Sequence, residues 1–165
     1  MHKSRPGLLF AYTPGMDFFR ELKGLTDALG AAGVDYALCG GVALAIHGAP
    51  RATQDIDLLV RPESIELVRK TAHACGFTLE SFPMDFASGV TVQRFTKIIE
   101  GQPLMLDALL VGPTTERVWQ DRQTAEVEGG TMRVVSREGL VALKLAAGRP
   151  QDLVDVQRLR ELERG

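Results

Sequence analysis

The sequence predicts an α+β fold of mixed α/β character: a central mixed β-sheet flanked by helices, with two further helices at the C-terminal end. Three observations predict it. Residues 16–32 repeat apolar side chains at helical spacing. Residues 36–60 read as strand, glycine doublet, short helix, turn and second strand. Residues 94–135 hold four short β-type runs broken by turn residues, and 136–163 return to helical spacing. At 165 residues, 45% apolar and 24% charged, the chain suits one domain with a sizeable core. We expect that core at about 16–135 and a helical part at about 136–165.

Residues 1–15 are punctuated by Pro and Gly and read as irregular. The apolar run after Gly7 is too short for a signal-peptide core or a membrane span. Phe18, Phe19, Leu22, Leu25, Leu29 and Ala32 form the first helical stripe, and Gly33 ends it. Residues 36–39 are a strand, 42 to about 47 a short apolar helix closed by Gly48 and Pro50, and 54–60 a second strand. Pro62 opens the next helix at a favoured position. Its buried stripe is Ile65, Val68, Ala72 and Cys75, and Gly76 stops it. Residues 77–81 read as a short strand, and 82–93 stay ambiguous, with Pro83, Ser88 and Gly89 as breakers.

Residues 94–99 and 104–111 read as strands joined by Glu100-Gly-Gln-Pro103. A helical turn with a packed Trp119 follows at 114–120. Residues 124–128 and 131–135 read as a hairpin over Gly129-Gly130, so that doublet is a turn. Ser136 can cap a helix to about residue 147, with Leu140, Val141, Leu143, Leu145 and Ala146 apolar and Gly148 and Pro150 as its stop. A last helix from about 151 to 163 turns Leu153, Val156, Leu159 and Leu162 inward.

The chemistry concentrates in 36–60. A strand running through Gly40-Gly41 into a helix can offer backbone N–H groups to an anion, because glycine permits close approach. Asp55 and Asp57 are two apart on a strand and share a face. Two such carboxylates repel unless a cation lies between them, and their hard oxygens suit Mg²⁺ or Mn²⁺. Asp107 is the one polar residue in Leu104-Met-Leu-Asp-Ala-Leu-Leu-Val111. A carboxylate there needs a cation, a metal or backbone amides as partner.

These residues resemble the signature of the nucleotidyltransferase superfamily: a glycine doublet, a spacer, then Asp-x-Asp between apolar residues. Arg51-x-Thr53-x-Asp55-Ile-Asp57 looks most like the AbiEii-type branch, which includes toxins of bacterial toxin–antitoxin systems. Many active members have serine where this chain has Gly41. The run Lys144…Arg149-Pro-Gln-Asp152-Leu-Val-Asp155 is similar to one near the end of the same branch, which often has Lys at the position of Gln151. The resemblance implies the DNA polymerase β-like nucleotidyltransferase fold and a nucleoside triphosphate as substrate. It implies Asp55, Asp57 and Asp107 as the catalytic and metal-binding carboxylates, with one metal on Asp55 and Asp57 and a second on Asp57 and Asp107. It implies Gly40, Gly41, Arg51 and Lys144 as triphosphate contacts. Thr53 can donate to a phosphate or to the backbone of its own turn. Lys144, the only charge in 139–148, either snorkels from an apolar helix or reaches the site; the resemblance favours the triphosphate. Asp152 and Asp155 share a helical face and can pair with Arg149 or Lys144, or Asp152 can take part in catalysis. His47 reads as a packed or surface histidine, not a ligand.

The reaction so implied is nucleotidyl transfer to a hydroxyl. The acceptor can be RNA, such as a tRNA 3′ end, or a protein, with a cognate antitoxin as partner. It can instead be an aminoglycoside-type antibiotic or another small molecule. A non-catalytic binding partner that keeps the fold is the third reading. The net charge of −2 excludes a generally basic nucleic-acid binder. Acid outnumbers base in 62–132 and base outnumbers acid in 133–165, so charge alone does not choose the acceptor. Cys39 and Cys75 lie in no metal-spacing motif and read as buried thiols of a cytoplasmic protein with no membrane association.

Overall fold

The computed structural model describes residues 16–165; the expectation for 1–15 lies outside the described residues. Helix α1 is Phe18–Ala31, begun by the Asp17 side chain accepting from the Arg20 N–H, and Gly33 follows it at φ 75. Strand β1 (Ala37–Cys39) passes directly into α2 (Gly40–Ile46), and β2 is Asp55–Val60. A 3₁₀ turn at Pro62–Ser64 leads into α3 (Ile65–Ala74). Short strands β3 (Leu79–Glu80) and β4 (Met84–Asp85) precede the long hairpin of β5 (Thr91–Ile99) and β6 (Gln102–Leu110). Then come α4 (Glu116–Gln120), β7 (Gln123–Val127), β8 (Gly130–Val134), α5 (Arg137–Ala147) and α6 (Pro150–Arg164).

The strands form one mixed sheet of order β3-β5-β6-β2-β1-β8-β7, with β4 also paired to β5. Strand β2 lies antiparallel to β1 and parallel to β6, and β8 lies parallel to β1. The central strands β1, β2 and β6 are buried and apolar, as strands covered on both faces must be. Helix α3 covers one face, where its His73 meets the Phe95 ring edge-on. Helix α5 lies across the Asp57 face, where the two border a common cleft. Leu22, Leu25 and Leu29 of α1 are fully buried and fix that helix to the core.

Several boundaries differ from the sequence expectation for identifiable reasons. The β5–β6 turn is two residues, Glu100-Gly101, not four; both have positive φ, which matches the twist of a tight hairpin. In the segment expected as a strand over 77–81, only Leu79–Glu80 pairs, and Phe77 is buried in the core instead. The ambiguous 82–93 supplies β4 and the start of β5. Cys39 is buried, but Cys75 is only half-buried. In α6 the expected inward stripe is wrong at two positions: Leu153 is 51% and Leu162 43% exposed. The buried face of α6 is Asp152, Asp155, Val156 and Leu159. Trp119 packs as expected, with the Arg122 guanidinium 4.0 Å over its ring. No helix among the described residues is long and apolar enough to cross a membrane.

Candidate active site

Sheet register assembles the site. Asp57 lies opposite Cys39 on β1 and beside Asp107 on β6, while Asp55 sits one pleat away on the same face. The three carboxylates singled out by sequence therefore share one patch. Asp107 is not lone, however. Arg94 lies directly opposite it on β5 and grips it bidentately: Nε donates to Oδ1 at 2.8 Å and Nη2 to Oδ2 at 2.9 Å. Sequence reasoning did not single out Arg94. Among the described residues, neither the Asp55 nor the Asp57 carboxylate has a hydrogen-bond or ion-pair partner. Burial, then Asp107 and then Asp55 push the Asp57 carboxyl up to about 7. Burial first, then Asp107, raises Asp55 as well.

Glycine at 40 and 41 has a steric cause. Gly40 has φ 60, and a Cβ there would stand 2.1 Å from Asp57 Oδ2. The Asp57 carboxylate thus rests against bare backbone where β1 becomes α2. A Cβ on Gly41 would stand 2.8 Å from both Cβ and Oγ1 of Thr53. Thr53 fills the space that a serine at 41 would need. Its hydroxyl shares 3.4 Å contacts with the N–H and C=O of Asp55, so it lies at the backbone of its own turn. We expect Gly41→Ser to destabilise by roughly 1–3 kcal/mol through overpacking. In a double-mutant cycle read by urea unfolding, Thr53→Gly should remove most of that cost. Additive effects would show that the two positions do not compete for space.

Lys144 sits in a buried charge cluster. Its Nζ is 2.9 Å from Asp155 and 3.4 Å from Asp152. Arg51 donates through Nε and Nη2 to Asp155 at 3.0 and 3.1 Å, and Gln151 donates to the same carboxylate. At the start of α6, Asp152 accepts from the Arg149 backbone N–H at 3.2 Å and from its Nε at 2.7 Å. Burial opposes ionisation of these two acids. The hydrogen bonds from Arg149 to Asp152, and from Arg51, Lys144 and Gln151 to Asp155, outweigh it and hold both below the ordinary carboxylate range. Asp152 pairs with Arg149 and Lys144, and Asp155 with Lys144. Arg51 and Lys144, expected at a triphosphate, are both engaged by Asp155. His47 donates from Nε2 to the Val135 carbonyl at 2.8 Å.

Two clefts meet at Asp57. The larger, about 410 Å³, runs between β5–β6 and α5; its charged lining residues are Asp57, Asp107, Arg94 and Arg149. Its walls are mainly apolar, Phe86, Val92, Leu109 and Leu143 among them. The smaller, about 120 Å³, is bordered by Gly40, Asp57, Lys144, Arg149 and Asp152. No three His, Cys, Asp or Glu side chains among the described residues gather as a preformed metal cage. Asp55 and Asp57 remain as a pair of hard oxygen donors with no counter-charge bound to them. That set fits Mg²⁺ or Mn²⁺ held jointly with a substrate's phosphates.

Comparison with known proteins identifies the fold and the family. The fold resembles that of a Thermotoga maritima protein assigned as a nucleotidyltransferase, at TM-score 0.63 and 16% identity over 88% of this chain and 93% of that one. It also resembles the antibiotic-resistance factor ANT(2'')-Ia, in a structure with adenylyl-2''-tobramycin, at TM-score 0.58 and 17% identity over 87% of each chain. A third likeness is to JHP933 from Helicobacter pylori, at TM-score 0.57 and 17% identity over 92% of this chain and 68% of that one. No curated protein matches in sequence. The central mixed sheet flanked by helices is thus the nucleotidyltransferase fold. The sequence itself matches the nucleotidyl transferase AbiEii toxin family, type IV TA system, across residues 25–164, and the chain belongs to that family of nucleotidyltransferases.

Proposed function

We propose that the chain moves a nucleoside monophosphate from a nucleoside triphosphate to a hydroxyl of RNA, a tRNA 3′ end being the simplest acceptor. The observation that carries this reading is the uncompensated Asp55–Asp57 pair, set against the Gly40 backbone where two clefts meet. Mg²⁺ or Mn²⁺ held by that pair would supply positive charge for the triphosphate and the departing pyrophosphate. Gly40 and Gly41 admit the triphosphate close to the backbone. Lys144 and Arg149 border the smaller cleft as its positive groups, beside Asp57 and Asp152. Arg51, anchored on Asp155, and Thr53 complete the nucleotide side from the turn before β2. Asp152 acts as a positioning residue that orients Lys144 and Arg149.

The acceptor hydroxyl enters by the larger cleft. Its proton passes to Asp107, which keeps a lone pair on each oxygen besides the one that Arg94 engages. The hydroxyl oxygen bonds to the α-phosphorus as the bond to the bridging oxygen of the β-phosphate breaks, and pyrophosphate leaves. RNA suits this cleft because its mainly apolar walls can take a base face. The family supports a toxin role with a cognate antitoxin, and the free thiols suit the cytoplasm.

The test is label transfer with Mg²⁺ and each nucleoside triphosphate, labelled at the α or the γ phosphate, against total RNA and cell lysate. We expect α-label on RNA, absent from an Asp55→Ala/Asp57→Ala control. α-Label on protein or on an added aminoglycoside would replace the acceptor. γ-Label would indicate a kinase, and no label would favour a non-catalytic partner.

A further inference from the structure

We infer that Arg94 stands in for a second divalent cation, so that the chain holds a single ion, on Asp55 and Asp57. This rests on the metal-dependent reading above and narrows it. Arg94, Asp107 and Asp57 occupy one row across β5, β6 and β2, in direct register. Arg94 closes a fork on both Asp107 oxygens at 2.8 and 2.9 Å. A carboxylate held this way already has a cationic partner on both oxygens. An ion shared between Asp57 and Asp107 would have to displace the guanidinium or sit beside its positive charge. Asp55 and Asp57 present the opposite case, since among the described residues no cation is hydrogen-bonded to either. The hairpin enforces the arrangement, because the two-residue turn at Glu100-Gly101 sets Arg94 opposite Asp107.

The experiment counts ions on the full chain. Mn²⁺ is titrated in the presence of a saturating non-hydrolysable nucleoside triphosphate analogue, with free Mn²⁺ read by paramagnetic resonance and a no-protein blank. Wild type should take up one ion per chain. Arg94→Ala should take up two, and Arg94→Gln, which keeps more of the side chain's packing, should do the same. Asp107→Asn should leave the count at one. Two ions on wild type, or one on both Arg94 variants, would overturn the inference and leave nucleotidyl transfer standing. Zero on wild type would overturn the inference together with the metal-dependent reading.

Discussion

Asp57→Asn should abolish nucleotidyl transfer and, in chelator, make the protein more stable than wild type at pH 8. The two effects have one cause. The wild-type carboxyl is pushed from 3.8 to about 7 in the folded chain by burial and by Asp107 and Asp55. The folded state therefore binds this proton more tightly than the unfolded state does. The stabilisation from protonating Asp57 is fully present below its unfolded value near 3.8. It declines as pH rises and is lost above about 7, where the folded chain must carry the charge. That rise from 3.8 to about 7 corresponds to about 4 kcal/mol as an upper bound. Asparagine carries no such charge, so the gain from Asp57→Asn should be largest at pH 8 and small at pH 4. Urea unfolding at the two pH values, with metal chelated, measures it. Adding Mg²⁺ and a triphosphate should reverse the ranking, because only wild type gains binding energy. Transfer should fall roughly a thousandfold or more, since several kcal/mol of charge stabilisation depend on this ligand. A variant less stable than wild type at pH 8, or one that keeps full activity, would remove Asp57 from the metal site.

Much of this site could be read from the chain because its parts are close in sequence. The run from β1 through Gly40-Gly41 to Asp55 and Asp57 is a local motif, and each glycine proves to be required by a neighbour that the motif itself supplies. Asp107 stood out because a strand buried on both faces tolerates no unpaired carboxylate. Its partner did not, because pairing depends on register. A four-residue connection in place of Glu100-Gly101 shifts the hairpin by two positions and sets Asp107 opposite Thr96 instead of Arg94. The inward face of α6 was misplaced for a related reason. Leu153 and Leu162 are the apolar choice, yet Asp152, Asp155, Val156 and Leu159 form an equally good helical stripe. The helix turns that stripe inward because Lys144 on α5 and Arg51 after α2 wait there with positive charge. Hydrophobic periodicity cannot anticipate a counter-charge supplied from another element.

That buried cluster predicts the second large effect: Asp155→Ala should destabilise the fold by about 3–5 kcal/mol. Asp155 is 0% exposed, Lys144 5% and Asp152 1%. Removing one carboxylate leaves the Lys144 ammonium with a single partner at 3.4 Å and takes from Arg51 its anchor 104 residues away in sequence. The cost is that of an under-compensated buried charge, so it should be recovered by removing the charge. Lys144→Met combined with Asp155→Leu replaces the pair by apolar side chains and should unfold nearer wild type than either single variant does. The double variant also separates the two roles of Lys144. With stability restored, binding of a triphosphate weaker than that of Asp155→Leu alone would assign Lys144 to the phosphates, and binding equal to it would confine Lys144 to holding α5 against α6. An Asp155→Ala chain losing less than about 1 kcal/mol would mean that the cluster is far better solvated than its burial indicates.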